Sequence, residues 1–175
     1  MTSRRLSAVA ALTCSLVLVA GCKKKAPETI SVTPKSEVVP QQFLGTWPAV
    51  SNTAMAITGD VTVGSTTMRI GERVVVIDGA HALAAPDTAA LAGFNTVQGA
   101  PIAAFLAKVP IPASTTMLGG NSLCGNRDAT WIAGVLGSGA QLGLVVFSGA
   151  QAPVLSVDAL KTSHDVCASF SYSKQ

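Results

Sequence analysis

The sequence predicts a mainly β domain, either a small antiparallel barrel or a sandwich of about eight strands. Short apolar or alternating segments recur between glycine, aspartate and serine turn signals, which is typical of all-β folds. Hydrophobic residues make up 49% of the chain, enough for a sizeable core. The sequence Ser-Gly-Ala-Gln occurs at 138–141 and again at 148–151, which is the spacing of successive turns in an antiparallel meander.

The first half of the domain contains four strand-like segments bounded by turn signals, at 54–58, 61–63, 66–70 and 73–77. Residues 66–70 alternate, so Met68 and Ile70 are expected on one side of the strand. Trp47 stands just before these segments, and we expect it in the core. This half is therefore predicted to form short strands in sequence.

Residues 79–118 are rich in alanine and proline and alternate poorly. A short helix at 101–108 fits the helical spacing of apolar residues there, namely Ile102, Phe105, Leu106 and Val109. A buried strand with a continuous apolar run would give a similar pattern. We favour the strand and keep the helix as the alternative.

The last third of the chain gives the clearest strand signals. Three apolar strands are predicted at 131–136, 142–147 and 154–157, with the repeated Ser-Gly-Ala-Gln sequence between them. A closing strand is predicted at 167–172, because Phe170 and Tyr172 fall on the same face.

Residues 1–21 have the three parts of a secretory signal peptide: a basic start, an apolar run and small residues before a cleavage point. Arg4 and Arg5 form the basic start, and the apolar run at 6–19 is shorter than the roughly 20 residues that span a bilayer. A buried core helix is the alternative. The signal interpretation predicts that this segment is removed.

The sequence Val-Ala-Gly-Cys at 19–22, followed directly by three lysines, resembles the lipobox of bacterial lipoproteins. The resemblance implies that Cys22 becomes the new N-terminus and carries lipid, including palmitate or a similar acyl chain. Two or more acyl chains give stable membrane anchoring. Lys23 stands where lipoproteins of the inner membrane tend to have Asp, which favours the outer membrane. The expected location is the cell envelope, facing the periplasm, with exposure at the cell surface as the alternative.

The segment 22–41 is predicted to be a lipidated, disordered tether, and 42–175 a single β domain. The tether carries three prolines and charges of both signs, and few large apolar residues. The formal charge of +3 comes from this segment and the signal, so the body from Gln41 onward is slightly acidic. Nucleic acid is therefore not an expected partner.

Of the four cysteines, Cys14 leaves with the predicted signal and the lipobox resemblance implies that Cys22 is lipidated, which leaves Cys124 and Cys167. An even pair in an oxidising compartment predicts a disulfide. Closing so long a loop stabilises the fold by about 4 kcal/mol in the chain-entropy model. The alternative is a reactive thiol at Cys124, which requires an environment that lowers its pKa.

No catalytic, cofactor or metal motif stands out, so we predict no enzyme activity, no cofactor and no metal. The consecutive residues Ser163, His164 and Asp165 have the types of a catalytic triad, but neighbours in an extended chain point to opposite faces. His81, with Asp78 and nearby acids, lacks a compact ligand spacing.

A candidate binding surface lies beside the predicted disulfide and consists of Asn126, Arg127, Asp128 and Trp131. A staple that rigidifies a polar loop with an arginine and an aromatic residue suits protein binding. The alternative is a stapled turn with Trp131 in the core.

The function expected from these features is a non-enzymatic binding or structural role in a lipid-anchored envelope protein. Its partners would be the membrane, through the anchor, and an envelope protein or a small apolar ligand. A barrel that inhibits lysozyme or holds an apolar ligand is the alternative, by likeness of architecture to small barrel lipoproteins. A further alternative is an envelope hydrolase that uses Ser163, His164 and Asp165.

Overall fold

A computed structural model describes residues 37–174 and contains, within them, nine β-strands and three short α-helices. The strands are β1 (Gly45–Trp47), β2 (Val61–Val63), β3 (Thr67–Ile70), β4 (Arg73–Val76), β5 (Asp78–Ala82), β6 (Pro101–Ile111), β7 (Ala129–Gly137), β8 (Gln141–Phe147) and β9 (Val166–Ser173). The helices are α1 (Asn52–Ile57), α2 (Ala85–Asn95) and α3 (Val157–Thr162).

The predicted signal peptide, the lipidated Cys22 and most of the predicted tether lie outside the described residues. The packed body begins at Val39, inside the predicted tether, because this side chain is buried in the core and its N–H donates to the carbonyl of Ser65 at 2.9 Å. Within 37–174, no helix is both long enough and apolar enough to cross a membrane.

The four-stranded sheet has the antiparallel order β1-β2-β3-β4 and buries one face only. Along β2 and β3 the residues alternate: Val61, Val63, Met68 and Ile70 point into the core, and the residues between them point outward. The predicted placement of Met68 and Ile70 on one buried side is therefore confirmed.

The five-stranded sheet has the antiparallel order β5-β6-β7-β8-β9 and is covered on both faces. Its inner face packs on the four-stranded sheet, and its outer face packs on α2 and α3. Nearly every residue of β7 and β8 is consequently buried. Strands buried on both faces read as continuous apolar runs rather than alternating ones.

Large side chains fill the space between the sheets. Trp47, Tyr172, Phe43, Phe105 and Phe170 are all buried there, and the rings of Phe43 and Phe105 meet edge to face at 4.8 Å. A second buried cluster lies between the five-stranded sheet and the helices, and includes Leu91, Leu106, Trp131, Val135, Val145, Phe147 and Leu160.

The mainly β prediction is confirmed, with nine strands in the described residues instead of about eight. Two packed sheets fit the predicted sandwich, whereas the barrel alternative is not confirmed. The sheets are linked at one side by a bridge between Ala49 and Tyr172, and at the other by Ile77, which joins β4 to β5.

The alternative of a helix at 101–108 is wrong, because these residues belong to β6. Phe105 faces the inner core while Leu106 faces the helices, so both are buried and the strand shows no alternation. The register of β6 with β7 shifts between Lys108 and Ile111, around Pro110. Proline has no N–H to donate to the ladder, which accounts for an irregularity at that place.

Two predicted strands are wrong because short helices occupy their place. Residues 54–58 fall largely in α1, where the Ser51 hydroxyl caps the helix by accepting from the Ala54 N–H at 3.1 Å. Residues 154–157 lead into α3, which Ser156 caps in the same way through the Ala159 N–H at 3.2 Å. Serine at the N-cap is the sequence signal that identifies both helices.

The repeated Ser-Gly-Ala-Gln sequence has two different structures. The first copy forms the tight β7–β8 turn, as expected for a meander, and Ala140 adopts a left-handed conformation there. The second copy begins the long connection that runs through α3 to β9, so the prediction of a second hairpin turn is wrong.

Candidate functional site

The disulfide predicted from cysteine counting is present and defines one end of the molecule. Cys124 and Cys167 are bonded at 2.05 Å, with their Cα atoms 4.8 Å apart. The bond joins the loop 121–128, which precedes β7, to the first residues of β9. We call the loop, the disulfide and the adjoining chain at 148–165 the disulfide end.

The loop 121–128 is fastened by hydrogen bonds as well as by the disulfide. Arg127 Nη1 donates to the carbonyl of His164 at 2.6 Å, which ties the loop to the turn before β9. Asp128 Oδ1 accepts from the Ala113 N–H at 2.8 Å, which ties it to the chain after β6. Within the loop, the Ser122 hydroxyl donates to the carbonyl of Gly125 at 2.9 Å.

Three of the four residues predicted as a binding surface lie together at the molecular surface. Asn126, Arg127 and Asp128 are exposed and consecutive. Because the loop is held on both sides, these side chains project from a backbone that is already ordered. They offer an amide, a cation and an anion to a partner within one short stretch.

Trp131 is placed differently from the other three. Its side chain is only 8% exposed and belongs to the cluster between the five-stranded sheet and the helices. The ammonium of Lys108 stands 5.2 Å from its ring centroid, a cation–π distance. Trp131 thus supports the sheet from which the loop emerges and does not itself form part of the exposed surface.

A cleft of about 300 Å³ opens beside the loop, between the end of β8, the chain at 149–154, α3 and the turn before β9. Its apolar lining includes Phe147, Pro153, Val154 and Leu160, and its polar lining includes Ser163 and Asp165. The sequence alone does not reveal this cleft, because its walls come from separate parts of the chain. The feature that marks the cleft is the segment after β8, which lies outside helix and strand and leaves the apolar residue Val154 exposed at 73%.

The rim of the cleft is fixed by hydrogen bonds to the end of β8. The Ser148 N–H donates to the Asp165 carbonyl at 2.9 Å, and the Thr130 hydroxyl donates to the Gly149 carbonyl at 2.6 Å. A Cβ at Gly149 would lie 2.7 Å from Asp165 Oδ2, so the glycine leaves room for this carboxylate beside the backbone. The carboxylate of Asp165 therefore lies next to the Gly149 backbone at the cleft.

The three residues of triad type do not form a hydrogen-bonded set. The Ser163 hydroxyl accepts from the backbone N–H of Asp165 at 3.1 Å, and the His164 carbonyl accepts from Arg127. Their side chains share no hydrogen bond in the part of the chain that the structure describes. His81 Nδ1 lies 3.0 Å from the carbonyl of Gly79. Residues 37–174 contain no group of three or more His, Cys, Asp and Glu placed to hold a metal.

Tyr172 lies in the core, away from the disulfide end's exposed surface. Burial raises the pKa of Tyr172 well above its usual range, and Asp60 adds to this; a hydrogen bond with Thr58 acts in the opposite direction. The two hydroxyl oxygens are 2.7 Å apart and buried. The phenol therefore stays protonated at ordinary pH and connects β9 to the end of α1.

Comparisons of this chain with protein-family models, with curated proteins and with solved structures found no match. A fold by itself does not specify an activity, so the sandwich brings no substrate or partner with it. The exposed loop and the adjoining cleft are the features from which a function can be inferred.

Proposed function

We propose that this chain is a lipid-anchored protein of the bacterial cell envelope that binds another envelope protein through its disulfide end. The observation that carries the proposal is the fastening of an exposed polar loop. Asn126, Arg127 and Asp128 are open to solvent, while the disulfide and the bond from Arg127 to His164 hold their backbone. A surface ordered before contact loses less entropy on binding, which favours affinity.

The membrane part of the proposal is supported by the N-terminal sequence. The lipobox-like Val-Ala-Gly-Cys at 19–22 follows an apolar run too short to span a bilayer. A tether from Cys22 to about Val38 would reach roughly 50–60 Å when extended. Such a reach allows the domain to meet a partner away from the membrane surface, on the periplasmic side of the outer membrane.

The alternatives receive less support from the described residues. A carrier of an apolar ligand needs interior space, and between the sheets that space is filled by Trp47, Phe43, Phe105 and Tyr172. A hydrolase based on Ser163, His164 and Asp165 needs a hydrogen bond from nucleophile to base. The Ser163 hydroxyl instead accepts from a backbone N–H. A lysozyme-inhibiting role remains one form of the proposed protein binding.

Photo-crosslinking in intact cells tests the binding surface. A benzophenone amino acid at Asn126 should give discrete adducts with one envelope protein, because this position faces solvent on the fastened loop. The same probe at Thr67, exposed on the outer face of the four-stranded sheet, is the matched control and should give none. Equal adducts from both positions, or none from Asn126, would contradict the proposal.

Metabolic labelling tests the anchor separately. Cells grown with labelled palmitate should label the protein, and Cys22→Ser should abolish the label and release the protein from membranes. Label that persists in the Cys22→Ser protein would show that the lipobox interpretation is wrong, without bearing on the binding surface.

A further inference from the structure

We propose that the cleft at the disulfide end binds an extended peptide segment of the partner, with an aliphatic side chain in the cleft and a cationic side chain beside Asp165. The inference rests on the proposed function, because it describes how that same end would recognise its partner. Three independent features of the cleft support it: free backbone groups, an apolar lining and an unpaired carboxylate.

The backbone along one wall of the cleft is unpaired. Residues 150–155 lie outside helix and strand, and within the described chain no hydrogen bond involves their backbone N–H or carbonyl groups. The chain on either side is bonded, at Ser148 to Asp165 and at Ser156 to Leu160. An added peptide strand pairs with free donors and acceptors, and every residue of this stretch except Pro153 has a backbone N–H as well as a carbonyl to offer.

The floor of the cleft suits an aliphatic side chain. Phe147, Pro153 and Leu160 supply apolar surface, and Val154 stands at the mouth with 73% of its side chain exposed. The volume of about 300 Å³ is well above the roughly 150 Å³ of a protein cavity that accepts benzene. A leucine or valine from an extended peptide therefore fits, with room for the peptide backbone at the opening.

One carboxylate sets the charge of the cleft. Asp165 is the ionisable residue in the lining, and no ion pair engages its side chain within the described residues. A lysine or arginine two positions from the aliphatic residue would lie on the same side of an extended peptide. Exposed charge pairs add little affinity, so this contact selects among peptides more than it holds them.

The test uses the full chain purified from its cells and a dye-labelled peptide, acetyl-Thr-Leu-Thr-Lys-Thr-Val-amide, with fluorescence anisotropy as the measurement. Asp165→Asn should weaken binding about two- to fivefold, the range of an exposed ion pair. It should not affect an analogue with norleucine in place of lysine. Asp158→Asn, which removes a nearby exposed carboxylate outside the cleft lining, is the matched control and should leave binding unchanged.

A second variant tests the apolar part. Ala152→Trp should fill the cleft and weaken binding by roughly tenfold or more, the loss typical of an obstructed binding centre. Ala152 is exposed and forms no hydrogen bond in the described chain, so the fold should be kept, as thermal unfolding can verify. Ala56→Trp, at an exposed position on α1, controls for the added ring.

Each outcome decides the inference. Binding that Asp165→Asn and Ala152→Trp both weaken supports it, and an absence of peptide binding or an equal response of all variants overturns it. A concentration-dependent dimer that Ala152→Trp abolishes would identify a second copy as the occupant and also overturn it. If Asn126 still crosslinks to its partner in the Ala152→Trp protein, the proposed function stands while the cleft inference fails.

Discussion

The two sheets of this protein differ in how many of their faces are buried. In the four-stranded sheet, Val61 and Val63 face the core while Thr62 between them faces outward. In the five-stranded sheet, β8 buries Leu144 against the other sheet and Val145 against the helices. One sheet lies between solvent and core, and the other lies between two cores.

This difference shows what a continuous apolar strand requires. A sheet with one buried face needs alternating residues, and a partner sheet is enough to cover it. A sheet with apolar residues on both faces needs a third layer, which α2 and α3 supply here. The unbroken apolar runs at 131–136 and 142–147 therefore indicate that another layer, here the helices, covers the second face of these strands.

The sharpest test of the comparison compares the outer layers of the two sheets. Leu91→Ala in α2 should lower the free energy of unfolding by about 2–5 kcal/mol, because Leu91 is fully buried between helix and sheet. Val74→Ala on the outer face of the four-stranded sheet, where the side chain is 61% exposed, should change it by less than about 0.5 kcal/mol. Equal losses in chemical denaturation would show that the helices do not complete a second core.

Several strands were predictable because their patterns depend on local burial. Met68 and Ile70 are two residues apart and share one face of their strand, as do Phe170 and Tyr172. Such a pattern indicates a strand with that face in the core, and all four side chains are buried. The helices were harder. The two shortest have six residues each, too few to establish a helical period, and only the capping serines mark them. The middle helix is rich in alanine, which gives little contrast between its faces.

Removal of the disulfide should affect the five-stranded sheet before the four-stranded one. Cys124→Ser should cost about 2–4 kcal/mol of stability, as expected for opening a long loop. It should also leave Cys167 open to alkylation. Because the bond holds the start of β9, amide hydrogen exchange should increase in β9 first while β2 and β3 keep their protection. Uniform loss of protection, or a free thiol in the native protein, would contradict this expectation.

The candidate site was predictable only where one stretch of sequence contains it. The two cysteines identified the staple by elimination, and Asn126, Arg127 and Asp128 are exposed beside it. The cleft could not be foreseen, because it is assembled from the end of β8, the chain after it and α3. Trp131 follows the alternative prediction: β7 buries this aromatic residue in the core, and only the polar residues before it lie at the surface.

Tyr172 of β9 links the five-stranded sheet to the chain between β1 and β2, through its bridge to Ala49 and its hydrogen bond with Thr58. Its hydroxyl offers a third test. Tyr172→Phe should cost about 1 kcal/mol, the usual contribution of one hydrogen bond, because Thr58 keeps its bonds to backbone carbonyls. Burial raises the pKa of Tyr172 in the folded state. The unfolded chain therefore loses its phenolic proton first, and stability should fall as pH rises above about 10, the ordinary tyrosine value.

This pH effect can be measured on one residue, because Tyr172 is the single tyrosine of the chain. Phenolate absorbance in the native protein should appear only together with unfolding. The Tyr172→Phe protein should lack the part of the alkaline destabilisation that the tyrosine contributes. Phenolate that forms at about pH 10 in protein that is still folded would show that the hydroxyl is not buried.

The smallest expected effects come from two tryptophan–lysine pairs, one on each sheet. Lys174 Nζ lies 3.9 Å from the ring centroid of Trp47 in β1 and also donates to the Leu44 carbonyl at 3.1 Å. Lys108 Nζ lies 5.2 Å from the Trp131 ring in β7, and its side chain is exposed. The first pair therefore combines a close cation–π contact with a hydrogen bond, while the second has a longer contact exposed to water.

Lys174→Met should consequently lower stability by about 1 kcal/mol, and Lys108→Met by less than about 0.5 kcal/mol. Methionine keeps most of the length and apolar surface of lysine, so the difference reports the charge and its hydrogen bond. Denaturation at low and high salt separates the contribution of the charge from that of the hydrogen bond. The loss at Lys174 should depend weakly on salt, because part of it is a hydrogen bond in a half-buried place. A larger loss at Lys108 would mean that the exposed contact on the five-stranded sheet matters more than the half-buried one, against the expectation from burial.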